Sequence, residues 1–168
     1  MLAGVVLAGG RSSRMGQDKA MLPFRGRPLI DHMIDLLHSA GCNDVFVSGQ
    51  RTGYKCIPDS TPDQGPAVAM RHVLQELDVY PGVLFVPVDM PLLTPDFLQR
   101  LLAQKRGAYF DGWPLPAYIA RAPVQSEATA VHWFLTEMGI LPVPCPKDAE
   151  KFLVNLNTPD EWKKVVKK

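Results

Sequence analysis

Apolar positions along this chain fall into short blocks separated by glycine and proline, and the spacing within the blocks alternates between two kinds. Residues 2–8 are a continuous apolar run ending at Gly9-Gly10, the pattern of a strand buried on both faces. After Pro28, the residues Leu29, Ile30, Met33, Leu36, Leu37 and Ala40 recur at helical spacing until Gly41. Proline at the first turn and glycine just past the last predict a helix with one buried face. Residues 45–48 predict a second strand, and Gly65-Pro66 opens a second helix with Ala69, Met70, Val73, Leu74 and Leu77 inward. Residues 83–88 predict a third buried strand, which delivers Asp89 at its C-terminal end. Thr94-Pro95 caps and starts a third helix carrying Phe97, Leu98, Leu101 and Leu102.

The second half is less regular. Residues 115–120 and 140–143 predict strands flanking a helix near 126–137, and residues 152–156 predict a last strand. Thr158-Pro159-Asp160-Glu161 reads as a capping box, with a threonine hydroxyl for the third amide and a glutamate reaching back. It opens a terminal helix with Trp162, Val165 and Val166 inward. Alternation of this kind predicts an α/β fold, a three-layer α/β/α sandwich whose mostly parallel sheet is covered by helices on both faces. Ligands in such folds bind outside the carboxyl ends of the strands. A length of 168 residues suits one domain.

Composition narrows the classes. Apolar residues are 46% and charged residues 21% of the chain, which is globular and not disordered. Eighteen basic against 17 acidic residues leave a net charge of +1, which argues against a bulk nucleic-acid binder but leaves room for a local basic site. No apolar run reaches the roughly 18 residues of a membrane span. The apolar N-terminus has no preceding positive charge, and Arg11 and Arg14 follow it, so it reads as a strand and not as a secretory signal. Cys42, Cys56 and Cys145 are odd in number and lack C-x-x-C spacing, which predicts buried, reduced thiols in a cytoplasmic protein. His32, His38, His72 and His132 form no ligand pattern.

The densest chemistry lies at residues 7–19, LAGGRSSRMGQDK. A buried strand ends in two glycines, which let backbone amides approach a ligand. Two arginines and a lysine follow within ten residues, and convergent cations with amide donors suit a triphosphate. Two familiar phosphate loops are excluded. Five residues separate Gly10 from Gly16 and Lys19 does not adjoin Gly16, so G-x-x-x-x-G-K-[ST] fails, and adjacent Gly9 and Gly10 break G-x-G-x-x-G.

This segment resembles the L-A-G-G-x-S-x-R-M-G-x-D-K signature of the molybdenum cofactor guanylyltransferases, the MobA family of Rossmann-like nucleotidyltransferases. The likeness continues through Asp59, Gly65-Pro66, Val88 to Pro91, and Asn155-Leu156-Asn157-Thr158-Pro159. It is loose over 105–150, a stretch shorter than is usual for the family. The resemblance implies a nucleotide-binding half (1–104) and an acceptor half (105–168), GTP and molybdopterin as substrates, Mg2+ as cofactor, and transient contact with proteins that deliver or receive the molybdenum cofactor. Leu7, Ala8, Gly9, Gly10 and Gly65 would then wrap the nucleotide, Lys19 and Arg14 would act on the phosphates, and Asp59 would lie near the guanosine. Asp89 would hold the magnesium, which commonly takes only one or two protein carboxylates when bound to a triphosphate. The family usually carries an asparagine after its second strand. Here Ser48-Gly49-Gln50-Arg51 stands, and Gln50 offers the same amide on a longer stem. Asn157 resembles an acceptor-side residue, although helix capping alone explains it. Trp113, in a Gly/Pro-rich loop, is a candidate for lining a pterin pocket. Related readings are a nucleotidyltransferase using CTP on the same pterin or another NTP on a sugar phosphate, and a non-catalytic nucleotide-binding module. Gly9-Gly10 favours the guanylyl branch over relatives that read L-A-A-G, and retention of Lys19 with Asp89 favours an enzyme.

Overall fold

The computed structural model describes residues 1–9, 18–61 and 63–166. Strand β1 (Ala3–Leu7) is followed, within the described residues, by a 3-10 turn (Lys19–Met21) and a small hairpin of β2 (Pro23–Phe24) and β3 (Arg27–Pro28). Next come α1 (Leu29–Ala40), β4 (Asp44–Ser48), β5 (Cys56–Ile57), α2 (Pro66–Glu76), β6 (Gly82–Pro87) and α3 (Pro95–Leu102). The chain continues with β7 (Gly107–Phe110), β8 (Trp113–Ala120), α4 (Val131–Glu137), β9 (Leu141–Val143), a 3-10 segment (Lys147–Leu153) and α5 (Pro159–Val166).

Seven strands form one sheet in the order β5-β4-β1-β6-β8-β7-β9. Strands β5, β4, β1 and β6 are mutually parallel. Strand β8 is antiparallel to both β6 and β7, and β9 is parallel to β7. Among the described strands of this sheet, β8 alone therefore runs against the rest, so the predicted mostly parallel sheet is correct.

Alternation along the strands divides the core in two. Val6, Val47, Leu84 and Val86 face the side covered by α1, α3 and α5, where Leu29, Met33, Leu98 and Trp162 pack. Val5, Leu7, Phe46 and Phe85 face the side covered by α2 and α4, where Met70, Val73, Phe134 and Leu135 pack. Each fully buried side chain of this size contributes about 1.5–3 kcal/mol by leaving water. The result is the expected three-layer sandwich. Helix α1 ends where the pattern predicts, because Gly41 at φ 114° takes a left-handed conformation that returns its amide to Leu37 and His38 carbonyls.

Several expectations need correction. Residues 152–156 are not a strand: the 3-10 segment runs to Leu153, and Phe152 packs on Phe97 at 5.8 Å between ring centroids. Leu153 and Leu156 are buried by helix-side packing, not by strand pairing. The helix near 126–137 begins only at Val131. Ser126 is buried, donates to Glu137 and accepts from the Ala128 amide, which holds the preceding residues in irregular backbone. Val166 points outward at 47% exposure. Cys42 is buried, and burial pushes its thiol up to about 12, but Cys56 and Cys145 are only partly buried. Strands β5 and β7 and the β2–β3 hairpin are too short to show a period. No helix among the described residues is long and apolar enough to cross a membrane.

Candidate active site

A cavity of about 440 Å3 opens at the carboxyl edge of the sheet. The ends of β1 (Leu7 to Gly9), β4 (Ser48) and β6 (Pro87 to Met90) form its floor, and the first turn of α2 with the Asp59 loop forms one wall. Trp113, Pro114 and Leu115, at the start of β8, form another. Three consecutive residues contribute to that wall because the β7–β8 register shifts after Tyr109, from Tyr109 opposite Ala117 to Phe110 opposite Trp113. Such an irregularity re-aims side chains that a regular ladder would alternate.

Lys19 comes from the 3-10 turn and Asp89 from just past the end of β6. Asp18 caps the 3-10 turn by accepting from the Ala20 amide at 3.2 Å, and buried Ala20 and Leu22 pin that turn to the core. Lys19 is thereby carried across the cavity floor. Its Nζ donates to Asn157 Oδ1 at 2.9 Å and to Asp89 Oδ2 at 3.4 Å. Both charged side chains are mostly buried, at 17% and 20% exposure, so solvent screens the pair incompletely.

Asn157 is itself held. Glu161 accepts from the Asn157 and Thr158 amides at 2.7 and 3.0 Å, while Thr158 Oγ1 accepts from the Glu161 amide at 3.2 Å. This is the predicted reciprocal capping box, and these amide donors hold the Glu161 carboxyl below its usual range. The Leu156 amide donates to the Asp89 carbonyl at 2.8 Å, tying the approach to α5 to the turn after β6.

Asp59 lies against Gly9. A Cβ at residue 9 would sit 2.7 Å from Asp59 Oδ2, so a larger residue there would make the carboxylate shift. Burial pushes the Asp59 carboxyl above its ordinary value, while His72 and Arg51 pull weakly the other way.

The sequence-predicted residues Leu7, Ala8, Gly9, Lys19, Asp59, Gly65 and Asp89 all line this one cavity, as does Trp113. Gly10 and Arg14 lie outside the described residues. Gln50 is exposed and is not among the lining residues. Asn157 also does not line the cavity: its amide oxygen is occupied by Lys19, and Asn155 is the lining asparagine. Sequence reasoning missed Arg51, which pairs with Asp18 at 2.9 Å. The signal available for it was a basic residue just past the second strand, adjoining the position given to Gln50.

As a metal site the arrangement is spare. No group of three or more His, Cys, Asp or Glu side chains that could hold an ion occurs among the described residues. A single carboxylate at a strand end fits a magnesium or manganese ion that arrives with a triphosphate and draws its other oxygens from phosphate and water.

A cavity at the carboxyl edge of a doubly covered sheet, with a glycine just past one strand and a lysine from a 3-10 turn meeting an aspartate past another, defines a nucleotide-handling α/β protein. Residues 4–137 match the MobA-like NTP transferase domain, and the chain belongs to that family. It is 40% identical to the molybdenum cofactor guanylyltransferase of Xanthomonas euvesicatoria pv. vesicatoria (strain 85-10), covering 97% of this chain and 93% of that protein. Its fold is similar to that of a nucleotidyl transferase from Methanothermobacter thermautotrophicus, with a TM-score of 0.78, 19% identity, and 99% and 96% of the two chains covered. It is also similar to that of Mycobacterium tuberculosis Rv0371c, solved as a complex with manganese, with a TM-score of 0.65, 20% identity, and 99% and 98% covered.

Proposed function

We propose that this protein transfers GMP from GTP to the terminal phosphate of molybdopterin, releasing pyrophosphate and forming the guanine dinucleotide form of the cofactor. The observation that carries the reading is the pairing of Lys19 with Asp89 at the cavity, with Asn157 holding the lysine from outside it. The full-length likeness to a relative named for this activity supports the substrates.

In the reaction an oxygen of the molybdopterin phosphate attacks the α-phosphorus of GTP. The new P–O bond forms as the α–β bridge breaks, and the bond's electron pair leaves with pyrophosphate. No protein nucleophile is needed, so catalysis is positioning and charge stabilisation. Lys19, steadied by Asn157, offers a point charge to the phosphates as negative charge shifts toward the leaving group. Asp89 would hold Mg2+, which when bound supplies neutralising charge on the triphosphate. Leu7, Ala8, Gly9 and Gly65 line the nucleotide side. Asp59 has two acceptor oxygens for the guanine N1–H and N2–H edge or a ribose diol. Arg14 and Gly10 are assigned to the phosphates by the motif alone.

In this reading residues 1–104 bind nucleotide, and 105–168 complete the acceptor side through Trp113 and Leu115. Asn157 acts through Lys19. Three free thiols suit a reducing cytoplasm, and the product's receivers are proteins that carry the molybdenum cofactor. Pyrophosphate release from GTP, Mg2+ and molybdopterin tests the reading. Release that follows GTP and not CTP or ATP is expected. Equal or faster release from CTP would overturn the guanylyl assignment.

A further inference from the structure

The Arg51 guanidinium makes three hydrogen bonds beside the site, although it does not line the cavity. Its Nη2 donates to the Ala8 carbonyl at 2.6 Å and to Asp18 Oδ1 at 2.9 Å, and its Nε donates to Asp18 Oδ2 at 3.0 Å. The two bonds to Asp18 are the parallel fork that a planar guanidinium makes with a carboxylate. Ala8 follows the end of β1, and Asp18 caps the turn that carries Lys19. One rigid group therefore ties the strand's exit to the turn that presents the phosphate lysine. Arg51 is itself anchored, because its amide donates to Cys56 Sγ and its carbonyl accepts from that thiol, each at 3.3 Å. The Arg51 side chain is 15% exposed and its partner Asp18 42%, so the bond to the Ala8 carbonyl is the better shielded side of the clasp.

We infer that Arg51 is a positioning residue for nucleotidyl transfer: by clasping Asp18 to Ala8 it sets Lys19 in register with Asp89 and Asn157. The inference rests on the function proposed above. A lysine cannot substitute, since an ammonium is a point donor and does not match both carboxylate oxygens and a carbonyl in one plane. The consequence is geometric and falls on the rate, because small misplacement of a catalytic group costs far more in turnover than in binding.

The test uses Arg51→Gln and Arg51→Lys, each alone and combined with Lys19→Ala, in pyrophosphate release from GTP and molybdopterin. A separate cycle of Asp18→Asn and Arg51→Gln is read by denaturant midpoint, which needs no substrate. Arg51→Gln is expected to lower kcat by roughly 10-fold or more with a smaller change in KM for GTP, and Arg51→Lys to restore little of it. The double variant with Lys19→Ala should turn over within about twofold of Lys19→Ala alone, because Arg51 acts through that lysine. The midpoint cycle should be non-additive. Independent, multiplying losses with Lys19→Ala, unchanged kcat in Arg51→Gln, or an additive midpoint cycle would each overturn the inference. A wild-type protein that releases no pyrophosphate from any NTP would overturn the functional reading and this inference with it. Working wild-type kinetics with multiplying losses overturns the inference alone.

Discussion

Lys19 and Asn157 are 138 positions apart in the chain, yet the lysine ammonium donates to the asparagine amide oxygen at 2.9 Å. The contact joins the first strand's outgoing segment to the cap of the last helix. It gives Asn157 a contact with the lysine that a linear motif does not reveal.

Lys19→Ala is expected to lose far more turnover than nucleotide affinity. A cation worth a few kcal/mol in the transition state corresponds to roughly 100-fold or more in rate. Single-turnover kinetics beside calorimetric GTP titration measures both quantities. A rate within a few-fold of wild type would remove Lys19 from the chemistry.

Asp89→Asn separates a metal ligand from a turn former. The amide keeps the shape and one oxygen acceptor but loses the charge that hard magnesium prefers. The melting temperature should stay near wild type while activity falls by orders of magnitude and recovers in part as magnesium is raised. Early melting with normal turnover would instead give Asp89 a purely structural role in the turn after β6.

Much of this was readable from the chain, and for physical reasons. Strands β1 and β6 are buried on both faces, so their sequences are unbroken apolar runs. Helix α1 carries its stop at Gly41. Asp89 was findable because an apolar strand ends beside it. The remainder depends on tertiary packing. Four-residue β7 has no room for a period, and residues 152–156 look strand-like although only Leu153 and Leu156 are buried, by helix-side packing, while Val154 is exposed. Gln50 and Arg51 are adjacent, and only the fold shows that the arginine turns toward Ala8 while the glutamine is exposed.

Asp59→Asn should move stability and binding in opposite directions. Burial raises this carboxyl in the folded protein. The unfolded chain therefore holds its proton less tightly, and Asp59 lowers stability as pH rises past the ordinary carboxylate range. At neutral pH the asparagine variant is expected to unfold later than wild type, with the difference vanishing at acid pH, while GTP binds more weakly. Denaturant midpoints at several pH values check the sign. A variant that unfolds earlier at pH 7 would contradict it.

Thr158→Ala should cost on the order of 1 kcal/mol through the lost cap of α5. Glu161→Ala should lower both melting temperature and turnover, since its carboxylate holds the Asn157 amide at 2.7 Å. That carboxyl is held below its usual range, so its stabilisation is present above the ordinary glutamate value and is lost as pH falls through the lowered one. Turnover of Glu161→Ala equal to wild type would separate the helix cap from the active site.

The direction of β8 has a consequence for how such a protein can change its acceptor. Strand β7 finishes at the carboxyl edge, and after Asp111 and Gly112 the chain turns back there as β8. The tip of this hairpin is thus a rim of the cavity, while its far ends are anchored in the sheet beside β6 and β9. Residues inserted or removed at the tip would raise or lower that rim without moving β1 or β6, and so without moving Lys19 or Asp89. Under the proposed function, specificity for the second substrate can drift at the hairpin, where Trp113 faces the cavity, while the phosphate chemistry stays fixed.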